Sequence, residues 1–159
     1  MKKFLILAVV VGFIASCGVP KTVIQSKKVI KGTWTLSNIS YSESGNFNTV
    51  LFNDATKECF ENSAWRFIPN NNSGIYSIND GACATGDRNF IFTIQEVDAD
   101  TGYYDFLLKP TDAKGKSETN AGFRLRLTQL SDSNMQWEQT VNAGRSPLTI
   151  SMNFDKTIE

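Results

Sequence analysis

The sequence predicts an all-β fold, an eight-stranded antiparallel up-and-down barrel with one short helix in its first long connection. The main observation is a series of eight short runs in which apolar and polar residues alternate, separated by turn-forming residues. Alternation with a period of two places one face of a strand in the core and the other in water. A second observation is that short and long connections alternate along the chain, as they do when hairpins close one end of a barrel.

Eight strands, A to H, are predicted from these runs. Strand F shows the pattern clearly, since Phe123, Leu125 and Leu127 share one face and Arg124 and Arg126 lie on the other. The predicted strands are A Gly32–Tyr41, B Ser63–Pro69, C Gly74–Asn79, D Asn89–Val97, E Tyr103–Lys109, F Gly122–Leu130, G Met135–Val141 and H Leu148–Asp155.

The connections predict two different ends for the barrel. B–C, D–E and F–G are tight turns, whereas A–B, C–D, E–F and G–H are longer. Because alternate connections of an up-and-down barrel lie at the same end, we expect a closed end and a loop end. The short helix is expected over Asp54–Glu61 in connection A–B, with Asn53 or Asp54 as its N-cap.

The first residues have the pattern of a bacterial export signal. Lys2 and Lys3 precede an apolar run over Phe4–Ala15, which ends in Ile14-Ala15-Ser16-Cys17-Gly18. This segment resembles the lipobox of bacterial lipoproteins. The resemblance implies a signal peptide over residues 1–16 and a lipid-anchored Cys17. Gly18–Lys28 mixes Gly, Pro, Thr, Ser and Lys with few apolar residues, so residues 17–28 are expected to form a tether and residues 29–159 a barrel domain. An ordinary cleaved signal peptide, with Cys17 incidental, is the alternative.

Lipidation would attach the chain to a membrane through acyl chains such as palmitate, and two or more chains give stable anchoring. Without Lys2 and Lys3, fourteen basic side chains stand against sixteen acidic ones. This balance argues against nucleic acid as a partner and against electrostatic docking on a membrane. We expect the protein in the bacterial cell envelope, at the outer membrane, because Gly18 follows the cysteine where aspartate favours inner-membrane retention in some bacteria.

Two further cysteines fit an exported protein. Cys59 lies in connection A–B and Cys83 in C–D, both at the expected loop end, and export places them in an oxidising compartment. A disulfide between them would contribute about 3 kcal/mol by loop closure. Two buried free thiols are the alternative. A zinc site is poorly supported, because the chain has no histidine and two thiolates do not fill a tetrahedral site.

A short motif lies at the start of strand A. Gly32-Thr33-Trp34 resembles the Gly-x-Trp signature of the lipocalin superfamily. With the lipobox, the run Phe52–Phe60 and Trp65-x-Phe67, the sequence is similar to the lipocalin-like lipoproteins of Bacteroidetes-type bacteria, from Gly32 to about Phe154. The resemblance implies structural roles for Gly32 and Trp34, the tryptophan packing across the closed end. A β-sandwich of similar size is the alternative fold.

The sequence offers little for catalysis. Without histidine it lacks the usual general base and every Ser-His-Asp or Cys-His arrangement. Asp98-Ala99-Asp100-Thr101-Gly102 suits a hairpin turn better than a calcium site, since the remaining ligands are missing. We therefore expect no enzyme, no cofactor and no metal site.

The inward aromatic side chains are the remaining functional signal. An eight-stranded barrel is filled by its own side chains or holds one small ligand, and the sequence leaves both open. A cavity would bind a small apolar molecule near the loop end, with Gln139 as a polar contact. The expected lining is Trp65, Phe90, Phe92, Leu108, Phe123, Leu125, Trp137, Gln139 and Leu148. The alternative is a filled, non-catalytic scaffold that binds an unidentified protein partner, for example as an inhibitor, through loops Ser42–Asn62, Asp80–Arg88 and Thr111–Asn120.

Overall fold

The alternating runs pair in sequence order and close into a single ring of strands. The computed structural model describes residues 20–96, 100, 103–117, 119–142 and 146–157. Around the barrel the order is β1-β10-β9-β8-β7-β6-β5-β4, every neighbouring pair is antiparallel, and β1 pairs with β4 to complete the ring. The described elements are α1 Lys21–Ile30, β1 Gly32–Tyr41, β2 Val50–Leu51, β3 Ala55–Thr56, α2 Lys57–Phe60, β4 Ala64–Ile68, a 3-10 turn Pro69–Asn71, β5 Ser73–Ile78, β6 Gly86–Glu96, β7 Tyr104–Thr111, β8 Phe123–Leu130, β9 Asn134–Asn142 and β10 Pro147–Lys156.

This architecture confirms the predicted eight-stranded antiparallel up-and-down barrel. Strands A to H correspond to β1 and β4–β10, and every predicted strand end lies within three residues of the observed one. The short helix begins at Lys57 rather than at Asp54, because the preceding residues form the two-stranded ribbon β2–β3. Asp54 therefore does not cap the helix.

The segment expected to be a tether contains a helix. Composition predicted an irregular chain over residues 17–28, but α1 begins at Lys21 and crosses the closed end, next to β6, β8 and the 3-10 turn. Its buried residues are Val23, Ser26 and Ile30, which share one helical face. A ten-residue helix is marginal alone, so α1 depends on burying this face against the barrel. Residues 1–19, with Cys17 and the export signal, lie outside the described part of the chain.

Aromatic rings fill the barrel. The largest fully buried side chains include all three tryptophans, and neighbouring ring centroids in the interior lie 4.5–6.4 Å apart. Rings at these separations are in direct contact. The aromatic residues buried in this interior are Trp34, Trp65, Trp137, Tyr76, Phe67, Phe90, Phe92, Phe106 and Phe154.

One glycine makes room for this packing. Gly74 on β5 lies opposite Phe90 on β6. A Cβ atom at position 74 would lie 2.2 Å from Cζ of Phe90 and 2.7 Å from the carbonyl oxygen of Arg66. The Phe90 ring therefore occupies the space that a side chain would need.

We expect Gly74→Ala to lower the free energy of unfolding by about 3 kcal/mol, because the added methyl group overpacks a filled core. Urea denaturation measures this change. Gly122→Ala is the matched control, since the nearest atom to a Cβ there is 3.9 Å away. Equal stability of the two variants would show that the interior has room that the packing does not suggest.

Candidate functional site

The residues expected to line a cavity come together inside the barrel, but their side chains fill the space between them. Seven of the nine are at most 2% exposed, and Phe123 and Gln139 are half-buried nearer the loop end. Leu148 and Gln139 lie outside the main core cluster. The buried seven are Trp65, Phe90, Phe92, Leu108, Leu125, Trp137 and Leu148.

The loop end is covered by the connection between β1 and β4. Residues 50–60, which we call the lid, comprise the β2–β3 ribbon and α2. Two rings of the lid, Phe52 and Phe60, are buried, although both belong to a connection. The Phe52 ring contacts Phe60, Trp65 and Phe123, with centroid separations of 5.5, 5.9 and 5.4 Å, all edge to face. Phe52 is thus the plug of the barrel mouth.

The backbone at this plug is strained. Phe52 and Asn53 have φ values of +54° and +56°, and the N–H of Asp54 donates to the carbonyl of Leu51 at 2.9 Å. Two central residues with positive φ characterise a type I′ turn, which favours Asn, Asp or Gly. A phenylalanine there costs about 1–2 kcal/mol, whereas burying its ring gains about 2–3 kcal/mol. The free energy gained by burying the ring therefore exceeds the cost of the turn by about 1 kcal/mol.

The rest of the lid is fixed more firmly. The expected disulfide is confirmed, since Cys59 of α2 is bonded to Cys83 with an S–S distance of 2.03 Å. The bond holds α2, and with it Phe60, to the loop between β5 and β6. The ribbon tip, by contrast, is held by non-covalent contacts.

Asp54 is the polar anchor of the ribbon tip. Its carboxylate accepts hydrogen bonds from Nε of Arg88 and from the hydroxyl of Tyr76, both at 2.9 Å. Arg88 also donates to the carbonyls of Gly86 and Ala84. Burial, followed by the neighbouring carboxylate of Asp54, raises the pKa of the Tyr76 hydroxyl well above its usual range. Tyr76 therefore remains a hydrogen-bond donor to the lid throughout the neutral pH range.

Two clefts open to solvent near the loop end. One of about 410 Å³ lies beside the lid, between Phe52, Asp54 and Arg88 on one side and Pro110 and Asp112 on the other. Another, of about 450 Å³, lies where β7 and β8 diverge. It is lined by Ile91, Phe92, Thr93, Leu107, Leu108, Lys109, Asn120, Gly122, Phe123 and Arg124.

The closed end is organised around Trp34. Its indole N–H donates to the carbonyl of Ile30 at 2.8 Å, and Nζ of Lys156 lies 5.0 Å from its ring centroid. Lys156 also donates to the carbonyl of Val29 at 2.7 Å. Gly32 has φ +115°, a conformation that other residues rarely adopt, and links α1 to β1. Trp34 thus joins the helix to the barrel.

The three tryptophan N–H groups differ in their hydrogen bonds. Trp34 donates to Ile30, and Trp65 donates to Oγ of Ser63 at 2.8 Å. The indole N–H of Trp137 is buried and meets no acceptor among the described residues. Trp137 contacts Trp65 edge to face, with ring centroids 5.5 Å apart. A buried donor without an acceptor costs about 1–3 kcal/mol.

Sequence reasoning missed two of these residues. Phe52 was not singled out as a plug, because Phe-Asn is not a usual hairpin turn and no local signal marks it. Lys156 was not assigned, although a lysine one residue beyond the predicted end of strand H was a usable signal. Its cross-strand partner is Trp34, so the two side chains share the inner face.

Comparison with known proteins found solved structures at low identity and no family. No protein-family model matches the sequence, and no curated protein matches it significantly. A solved structure of bovine odorant binding protein in complex with a selenium-containing odorant aligns with a TM-score of 0.43 and 9% identity, covering 89% of this chain and 76% of that one. A deswapped triple mutant of bovine odorant binding protein aligns with a TM-score of 0.41 and 12% identity, covering 82% of this chain and 76% of that one. The fold assignment rests on the strand pairing described above.

Neither a metal-binding cluster nor a membrane-spanning helix is found in the described part of the chain. Within residues 20–96, 100, 103–117, 119–142 and 146–157, no three His, Cys, Asp or Glu side chains form a group suited to a metal ion. In the same part of the chain, no helix has the length and apolar character needed to cross a membrane.

We expect Tyr76→Phe to weaken attachment of the lid and lower the free energy of unfolding by about 2 kcal/mol, the usual contribution of a hydrogen bond to a charged group. The variant should also change the pH dependence. Tyr76 keeps its proton in the folded state, whereas an unfolded tyrosine loses it near pH 10. The stability of the wild type therefore falls above about pH 10, by up to 1.4 kcal/mol per pH unit from this group.

Urea denaturation between about pH 9 and pH 11 measures both effects. Tyr76→Phe should lose part of this alkaline slope. An unchanged slope in Tyr76→Phe would contradict the assigned burial of the hydroxyl.

Proposed function

We propose that this protein is a non-catalytic lipoprotein of the bacterial cell envelope, attached through Cys17, whose barrel binds a small apolar molecule at its loop end. The observation that carries the proposal is Phe52, a plug held in a strained turn at the barrel mouth. The ligand takes the place of this ring and contacts Trp65, Phe60 and Phe123.

The energetics of the plug support displacement. The net gain from seating Phe52 is about 1 kcal/mol, the difference between ring burial and turn strain. A ligand that buries a similar apolar area therefore competes with the ring at a cost of about fivefold in affinity. The disulfide keeps Phe60 in place, so the ligand meets a partly preformed wall.

Trp137 narrows the chemical class of the ligand. Its buried N–H has no acceptor among the described residues, and its ring contacts Trp65, which in turn contacts Phe52. A ligand with a carbonyl or hydroxyl oxygen at its inner end gives this donor a partner and recovers part of the cost of burying it. We therefore propose an apolar molecule that carries one hydrogen-bond acceptor.

The second candidate function is a protein-interaction lipoprotein that acts through its loops. The filled interior favours it, because a barrel packed with rings is a rigid scaffold. Its binding surface is the loop end, including the cleft between the lid and the loop after β7.

We expect Phe52→Gly to bind a one-ring apolar probe with one hydrogen-bond acceptor, benzyl alcohol, about fivefold more tightly than wild type, because the probe no longer has to displace the Phe52 ring. Fluorescence titration of the mature protein measures this. Phe52→Gly combined with Phe123→Arg should bind no probe, because a cation then lies in the emptied mouth.

Val50→Gly is the matched control. It also places a glycine on the ribbon, but Val50 is 58% exposed, so this substitution removes no side chain from the mouth. Probe affinity that stays at the wild-type value in Phe52→Gly would exclude the mouth as the site. The filled barrel with a loop-end protein partner would then be the better account.

A further inference from the structure

The outer face of α1 is basic. Lys21 and Lys28 are seven residues apart, so they lie on the same side of the helix, and Lys31 follows the last turn. All three are exposed, and no carboxylate pairs with them among the described residues. The sequence contains no acidic residue between positions 20 and 42.

An exposed apolar side chain lies within this face. Ile24 is 46% exposed between Lys21 and Lys28, opposite the buried Val23 and Ile30. Helices at a membrane interface combine lysines with apolar side chains in this way. The basic face is separate from the barrel core, because the face of α1 that packs on the barrel is the one with Val23 and Ile30.

The short distance between α1 and the proposed anchor indicates that a membrane is the partner of this basic face. Three residues separate Cys17 from Lys21. Even a fully extended chain spans only about 3.5 Å per residue, so these residues place α1 within about 15 Å of the lipidated cysteine. A membrane that holds the lipid of Cys17 therefore lies close to the lysines.

We propose that the outer face of α1 docks on the headgroups of anionic phospholipids and holds the closed end of the barrel against the membrane. The inference rests on the proposed lipid anchor at Cys17 and adds an electrostatic contact to it. The overall balance of charge, which argued against such docking, conceals a local excess of lysine at this end. The loop end, with Asp80, Asp87 and Asp112, then faces away from the anionic surface.

The experiment uses the mature chain with Cys17→Ser, which keeps every described residue and has no acyl chain. Co-sedimentation measures partitioning onto phosphatidylcholine vesicles with and without phosphatidylglycerol at low ionic strength. Binding should require phosphatidylglycerol and should weaken with salt. Each lysine at an anionic surface contributes about fivefold, so Lys21→Gln/Lys28→Gln/Lys31→Gln should lose on the order of 100-fold.

The matched control is Lys57→Gln/Lys114→Gln/Lys116→Gln, which removes the same charge at the loop end. It should partition like the wild type. Equal partitioning onto both kinds of vesicle, or an equal loss in the control, would overturn the proposal. The probe titration is independent of vesicles, so retained probe binding together with failed docking would remove this inference and leave the ligand proposal standing.

Discussion

The hydrogen bond from the indole of Trp34 to the carbonyl of Ile30 is the contact on which the closed end depends. Trp34 lies on the strand that closes the ring, directly opposite Trp65 on β4 and Lys156 on β10. One side chain therefore joins both seams of the barrel to α1. The cation of Lys156 over the same ring, with its bond to Val29, ties the end of the last strand to the helix.

The two ends of the barrel are held together by different interactions. At the closed end, strands, helix and indole are held by hydrogen bonds whose donors have partners. At the loop end, the disulfide fixes α2, but the ribbon tip is held by an ion pair that is partly exposed and by one tyrosine hydroxyl. Exposed ion pairs contribute at most about 1 kcal/mol. The ribbon tip around Phe52 is therefore held less strongly than α2.

The sequence predicted the barrel well because its signal is local. Alternation with a period of two locates each strand, and the lengths of the connections order the ends. Helix α1 was missed because Lys and Gln dominate its outer face, and its stability comes from Val23 and Ile30 docking on a surface that exists only after folding. The turn at Phe52 was missed because a tertiary contact overrides the local preference. The filled interior depends on the position of Gly74 beneath Phe90, which no single run reveals.

The geometry of the mouth also limits what the proposed ligand can be. Displacing Phe52 frees the volume of about one phenyl ring, since its neighbours Phe60 and Trp65 are held separately. Phe60 is adjacent to the disulfide-bonded Cys59, and the indole of Trp65 is fixed by its bond to Ser63, whose hydroxyl donates in turn to the carbonyl of Phe60 at 2.5 Å. A ligand long enough to reach Trp137 has to pass Trp65, and a shift of that indole away from Ser63 leaves a buried donor unpaired at about 1–3 kcal/mol. An acceptor offered to Trp137 offsets this cost, so among longer ligands a purely hydrocarbon chain is disfavoured relative to one with an oxygen at its inner end.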